Sequence, residues 1–217
     1  LALCWRKLPE TLSEDTRHPF HPVALFKGYE EVGMSPRFLW LSLAVGFNFN
    51  AFFLYIMSAP VFLGEHLGLG PQEYAWLFIP GILGIMTGAQ LSGRAAGRHA
   101  PPRTIHRAYT IMFAAAIVNL AYAFALRPAI PWAVFPIMVY ATGSAMAMPS
   151  ITLLTLDLFP TRRGMAASLQ GFVSGLVNTL VAGVISPALS HDPRLLATGM
   201  VALLAAGLAS WWMYQRS

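Results

Sequence analysis

Charge is the first thing this sequence is short of. Charged residues occupy 11% of its 217 positions, against about 25% in a soluble domain. That shortage excludes an ordinary water-soluble globule. Sulfur chemistry is scarce too. Cys4 is the only cysteine, which excludes an internal disulfide and a cysteine-based metal cluster. A signal peptide needs a basic segment, a short apolar segment and a small-residue cleavage site, and that pattern is missing. The first residue is Leu, and "LALCW" reads as the tail of an apolar segment begun upstream. The expectation is therefore a fragment, truncated on its N-terminal side.

Asp, Glu, Lys, Arg and His are also absent from the interior of every long apolar run. An intramembrane protease would need a carboxylate pair, an HExxH motif or a Ser/His pair at that depth, and none is there. The chain is read as no enzyme, with no covalent step and no cofactor. A proton relay normally needs an intramembrane carboxylate or histidine. Any proton-coupling residue is therefore expected outside these 217 residues.

What the chain has is apolar length. It is 56% hydrophobic, with a mean hydropathy of +0.57. A membrane helix needs about 20 apolar residues, and six runs qualify: Phe38–Leu63, Tyr74–Gly93, Ala108–Leu126, Trp132–Leu156, Met165–Leu189 and Leu195–Tyr214. They are too long for barrel strands and lack period-two alternation. The net charge of +5 does not point to nucleic acid, because the basic residues sit in short loops between the runs. Twelve of the fourteen fall on one side: Arg6, Lys7, Arg17, Lys27 and Arg37, then Arg94, Arg98, Arg103 and Arg107, then Arg162 and Arg163, then Arg216. Only Arg127 and Arg194 fall on the other. The positive-inside rule places both ends of the chain in the cytoplasm. Residues 1–36 read as a helix tail plus a polar linker, and residues 37–217 as a six-helix bundle. Pro22 can start a short surface helix within the linker, with Val23, Phe26, Leu25 and Tyr29 toward the bilayer; a solvated linker is the alternative.

The third and sixth runs are nearly featureless and suit outer, lipid-facing places, with Trp211, Trp212 and Tyr214 as an interfacial belt. The second run holds Gly84 and Gly88, with Gly81 nearby; the fifth holds Gly171, Gly175 and Gly183. Small residues at that spacing let helices approach closely, either within one bundle or against another half-molecule. The prolines Pro60, Pro80, Pro136, Pro149 and Pro187 lie in or near run ends, where each can bend a helix.

The three-plus-three pattern of runs resembles the second half of a major facilitator superfamily transporter, whose halves hold inverted three-helix repeats. Three segments resemble, more narrowly, the bicyclomycin/chloramphenicol-resistance (Bcr/CflA) branch of drug/proton antiporters: "LPETL" from Leu8, "YIMSAP" from Tyr55 and "RRGMAASLQGF" from Arg162. The likeness covers essentially the whole chain. One departure is that Arg94 stands where the superfamily's signature loop usually has an acid before its "GR" pair, here Gly97 and Arg98. This puts a charge-paired gate there in doubt and leaves plain anchoring by four arginines.

The resemblance implies an all-α membrane protein, the C-terminal half of a twelve-helix fold. It implies a multidrug efflux antiporter of the bacterial inner membrane, conferring antibiotic resistance by alternating access. Its partners would be amphipathic drug-like molecules, protons, the bilayer and the missing N-terminal half. It also implies that the first and fourth runs line a central cavity. Helical geometry puts Asn48, Phe52, Tyr55 and Ala59 on one stripe and Asn50, Phe53 and Met57 roughly opposite. Asn48 and Tyr55 are assigned to the cavity and Asn50 to a neighbouring helix, with the swap left open. Tyr140 and Ser144 share a stripe in the fourth run, flanked by Met146 and Met148; Gln170, Ser174 and Asn178 form one in the fifth. The expected substrate-binding set is Asn48, Phe52, Tyr55, Tyr140, Ser144, Met148 and Gln170. The competing reading is a complete six-helix channel-like or scaffold protein acting as a dimer.

Overall fold

The computed structural model describes residues 22–217, and side chains from Leu25 onward. The segments "LALCW" and "LPETL" lie outside the described residues. Helix α1 (Pro22–Gly33) precedes six helices long and apolar enough to span a bilayer. These are α2 (Pro36–Met57), α3 (Ala75–Ala95), α4 (Pro101–Ala125), α5 (Phe135–Asp157), α6 (Arg163–Leu180) and α7 (Pro193–Arg216). No strand occurs among the described residues. The chain is an all-α, multi-pass membrane protein.

Local chemistry sets the helix ends. Proline opens α2, α4 and α7, where its missing N–H costs nothing. Ser35 accepts a bond from the Phe38 amide at 3.5 Å, and Asp192 caps α7 through the Arg194 amide at 2.8 Å. Two runs that read as single spans are jointed. After Met57, α2 gives way to a short turn at Ala59–Val61 and a π-helical turn at Phe62–His66. Pro60 lies at that joint. After Leu180, α6 passes through a π-helical turn, Val181–Ile185, and ends on Ser186–Leu189, which contains Pro187.

Helix α2 is the hub. Of its most apolar window 61% is buried, against 17% for α6 with its extension. It packs chiefly on α7, and also on α5 and α6. Helices α3 and α4 flank α5. The main core is one apolar cluster drawn from all six spans, with Leu54, Tyr55, Leu77, Met112, Ile137, Tyr140 and Trp211 among its members; a smaller separate cluster joins Val32, Phe38 and Ala166.

Helix α4 is less bland than its sequence suggests. Phe113, Ile117, Val118 and Phe124 are exposed, as an outer helix requires. Its other face carries two buried polar side chains, Tyr109 and Asn119, that tie the bundle together. The C-terminal aromatics also divide. Trp211 is buried against Tyr214, with ring centroids 5.4 Å apart. Trp212 is exposed and lies under the Arg216 guanidinium at 3.4 Å. Trp211 is thus a core residue, and only Trp212 matches an interfacial belt.

Helix α1 lies against the start of α6. Glu31 pairs with Arg162, the Tyr29 hydroxyl is 3.1 Å from that of Ser168, and Met165 covers Gly28. Phe26 is left 73% exposed.

Candidate functional site

The stripe named from the sequence does share one face of α2, and that face is the one buried in the bundle. Asn48 sits where four helices meet. Its amide donates to the Tyr109 hydroxyl of α4 at 2.8 Å, and Tyr109 donates onward to the Gly207 carbonyl of α7 at 2.9 Å. The Asn48 carbonyl accepts from Tyr140 and Ser144 of α5, each at 3.3 Å. The Asn48 side chain rests directly on Gly207, where a Cβ would collide with its oxygen. Three of the expected residues, Asn48, Tyr140 and Ser144, therefore come together as a structural knot.

Tyr55 is 2% exposed. Its hydroxyl accepts from the Asn119 amide at 2.7 Å, and its ring meets Phe62 edge-on at 5.0 Å. The neighbouring cavity is only about 10 Å³, room for about one water and not for a drug-sized molecule. Phe52 is buried on Gly81 of α3. Gln170 donates to Thr152 of α5 at 3.3 Å. Of the expected set, Met148 alone is well exposed, at 43%.

The sequence reading put Asn48 and Tyr55 toward a cavity; the structure puts both against neighbouring helices. Periodicity shows which residues share a face but not what that face meets. Asn50, assigned to a neighbouring helix, donates instead to its own Gly46 carbonyl at 2.9 Å. Sequence reasoning also passed over Tyr109 and Asn119. A lone polar residue with a stripe of small neighbours, as in "AAAIVNLAYA", was the available signal.

A second polar seam runs between α2 and α6. Ser174 touches Gly46, and the hydroxyls of Ser58 and Ser186 lie 2.8 Å apart. Each pair is separated by 128 positions, and Asn50 and Asn178 stand in the same register between them. The side-chain oxygens of both asparagines are buried with no partner among the described residues. Beside this seam, Phe49 and Phe53 stack at 5.1 Å and are half-buried, as is Met57. The partly open aromatic pair can meet a flat apolar body; the two carbonyl oxygens behind it are covered in this packing.

Comparison with known proteins places this bundle. The sequence profile described as Major Facilitator Superfamily matches residues 1–182. The chain is 26% identical over 176 residues to the multidrug transporter MdfA of Yersinia pestis bv. Antiqua (strain Angola), covering 81% of this chain and 43% of that protein. It is 30% identical over 161 residues to the multidrug transporter MdfA of Edwardsiella ictaluri, covering 72% and 38%. It is 28% identical over 159 residues to the 3-(3-hydroxy-phenyl)propionate transporter of Escherichia coli, covering 70% and 37%. The match thus spans less than half the length of these relatives. With six apolar helices around one core and a family match over most of its length, the chain belongs to the Major Facilitator Superfamily.

Proposed function

We propose that this chain is the second half of a drug/proton antiporter of the Bcr/CflA type, working by alternating access in a bacterial inner membrane. The observation that carries the reading is the likeness, over 81% of the chain, to a relative named a multidrug transporter. The half-open faces support it. Phe49, Phe53, Met57 and Met148 are apolar and adaptable, and Asn50 and Asn178 offer acceptors beside them. In this reading Phe49, Phe53, Met57 and Met148 meet substrate directly, and the buried oxygens of Asn50 and Asn178 become acceptors when α2 and α6 part during the transport cycle. Asn48, Tyr140 and Ser144 hold the wall behind them, as do Phe52, Tyr55 and Gln170. Protons are taken up by a carboxylate in the other half. The arginine-bearing loops face the cytoplasm. A cysteine placed at Gly70 is then labelled only from outside, and one at Ala100 only from the cytoplasm; the reverse pattern overturns the orientation.

The functional test uses the full-length protein in inside-out vesicles. A lipophilic dye should be accumulated under an imposed proton gradient and released when the gradient is collapsed. Accumulation that ignores the gradient overturns the antiport reading. The likeness to the 3-(3-hydroxy-phenyl)propionate transporter favours a second reading, carriage of an aromatic acid. Gradient-driven movement of such an acid, with none of the dye, would select it.

A further inference from the structure

A cavity of about 470 Å³ opens on the arginine-bearing face, between the end of α3, the start of α4 and the last turns of α5. Ser92, Arg98, His99, Thr104, Ser150 and Leu153 line it. The substrate reading above uses none of these residues.

Two observations single the cavity out. The first is its unanswered charge. Arg98 lines the cavity, and Arg94, Arg103 and Arg107 stand on the helix ends that frame it; no acid occurs in the sequence between Glu73 and Asp157, and none of the four forms an ion pair among the described residues. The second is a pair of buried residues whose hydroxyls make no hydrogen bond. Thr104 is 3% exposed and Ser92 is 8% exposed; neither hydroxyl bonds to another described residue, neither oxygen is sealed from solvent, and both residues line the cavity. Threonines elsewhere in these helices behave differently. Thr87, Thr110, Thr142, Thr155, Thr179 and Thr198 each donate to the carbonyl four residues back. For Thr104 that carbonyl belongs to Ala100, which already accepts from the Arg103 and Thr104 amides. Its hydroxyl is left turned to the cavity. The N-terminus of α4 opens on the same space, and no side chain caps it; its dipole favours an anion there.

Two hydroxyl donors, a guanidinium and an imidazole around one concave site match the oxygens of a phosphate group. Leu153 and Ala95 add an apolar wall to the same cavity. We propose that this cavity binds a phosphate group, supplied by an anionic phospholipid headgroup or by free phosphate.

The test is a thermal titration of the full-length protein in a non-ionic detergent, read by tryptophan fluorescence. The probes are phosphatidylglycerol, phosphatidylcholine and inorganic phosphate. Phosphatidylglycerol should raise Tm saturably, and phosphatidylcholine should not. Thr104→Val with Arg98→Gln should raise the half-saturating concentration at least tenfold. Ser92→Ala serves as the milder variant should that pair fail to fold. Arg216→Gln, which removes the same charge away from the cavity, should titrate like the wild type. Saturable, Thr104-dependent stabilisation by inorganic phosphate as well identifies the free anion as a sufficient ligand. An equal response of wild type and cavity variants to phosphatidylglycerol overturns the proposal, since general attraction to surface arginines then explains it. So does the absence of a saturable response to either phosphate probe, as expected if an acid of the other half fills the cavity.

Discussion

Helices α3 and α6 carry the same glycine signature and use it in opposite ways. In α3, Gly84 and Gly88 are spaced by four and both are filled. A Cβ on Gly84 would overlap the Met138 carbonyl, and one on Gly88 would overlap the Thr142 carbonyl and approach the Ala145 Cβ to 2.9 Å. The α3 and α5 backbones touch there, and nothing larger than hydrogen fits. In α6, Gly171 and Gly175 have the same spacing, and no described residue lies within 4 Å of a Cβ built on either. Their neighbours Phe172 and Leu176 are exposed, at 60% and 55%. Of the two meanings that such spacing can carry, contact inside one bundle holds for α3. For α6 the bundle itself supplies no partner among the described residues. The motif reports that a close approach is permitted; only the helix's place in the bundle decides whether it is used.

The largest expected effect breaks this comparison directly. Gly88→Ala should cost about 1–3 kcal/mol by overpacking, and Gly88→Leu should prevent folding. Gly175→Ala should leave the chain's thermal unfolding unchanged. Equal losses of Tm for Gly88→Ala and Gly175→Ala would erase the distinction between a filled and an open stripe.

A comparable effect concerns a polar analogue of the same contrast. The Asn48 amide is tied into a chain of bonds through Tyr109, whereas Asn178 makes no side-chain bond across the α2–α6 seam; the side-chain oxygens of Asn48, Asn50 and Asn178 are all without a partner among the described residues. Tyr109→Phe removes the acceptor for the Asn48 amide and the donor to Gly207. It should destabilise by about 1–3 kcal/mol, the cost of stranding a buried polar group. Asn178→Ala should lower stability less and substrate response more. Denaturation curves and dye transport, measured on the same preparations, separate the two.

Tyr55 sharpens the point further. With its hydroxyl bonded to Asn119 and no cavity beside it large enough for a drug-sized molecule, Tyr55→Phe should cost about 1 kcal/mol and keep the order of drug resistance. Tyr55→Ala should lower membrane level for all drugs in proportion. A changed order of resistance at normal membrane level would return Tyr55 to the substrate wall. The smallest effect is at the far end of the α2–α6 seam. Ser186→Ala removes the bond to Ser58, and interhelical bonds of this kind average about 0.6 kcal/mol in membranes; the shift in Tm should be barely resolved.

The spans were legible because lipid requires long apolar runs. Their ends were less so: α4 begins at Pro101, seven residues before its apolar run, because Arg103, His106 and Arg107 stand on its first turns. The joint after Met57 was foreshadowed by Ser58 and Pro60, though the run reads unbroken to Leu63. The site was legible only as stripes. Asn48 and Tyr55 lie on one face, as their spacing requires, but whether that face meets a pore or a helix depends on α4 and α7. Neither helix advertises the contact, since Gly207 acts through the side chain it lacks. Tyr109 and Asn119 went unnoticed for a related reason: each is a single polar residue in a lipid-like run, and its partner lies 61 or 64 positions away.

The constant offset of the α2–α6 seam ties the phase of these two helices and their extensions together. Gly46 with Ser174 and Ser58 with Ser186 are twelve residues apart, a little over three turns, and both contacts keep the same step of 128. A single inserted or deleted residue in either helix would rotate everything beyond it by about 100°. It would move Asn178 and Ser186 off the seam together. Substitutions along this line act one at a time, whereas a frame change acts on the whole line. The length of chain between the two helices is free to vary in its loops, but the phase within each helix is not.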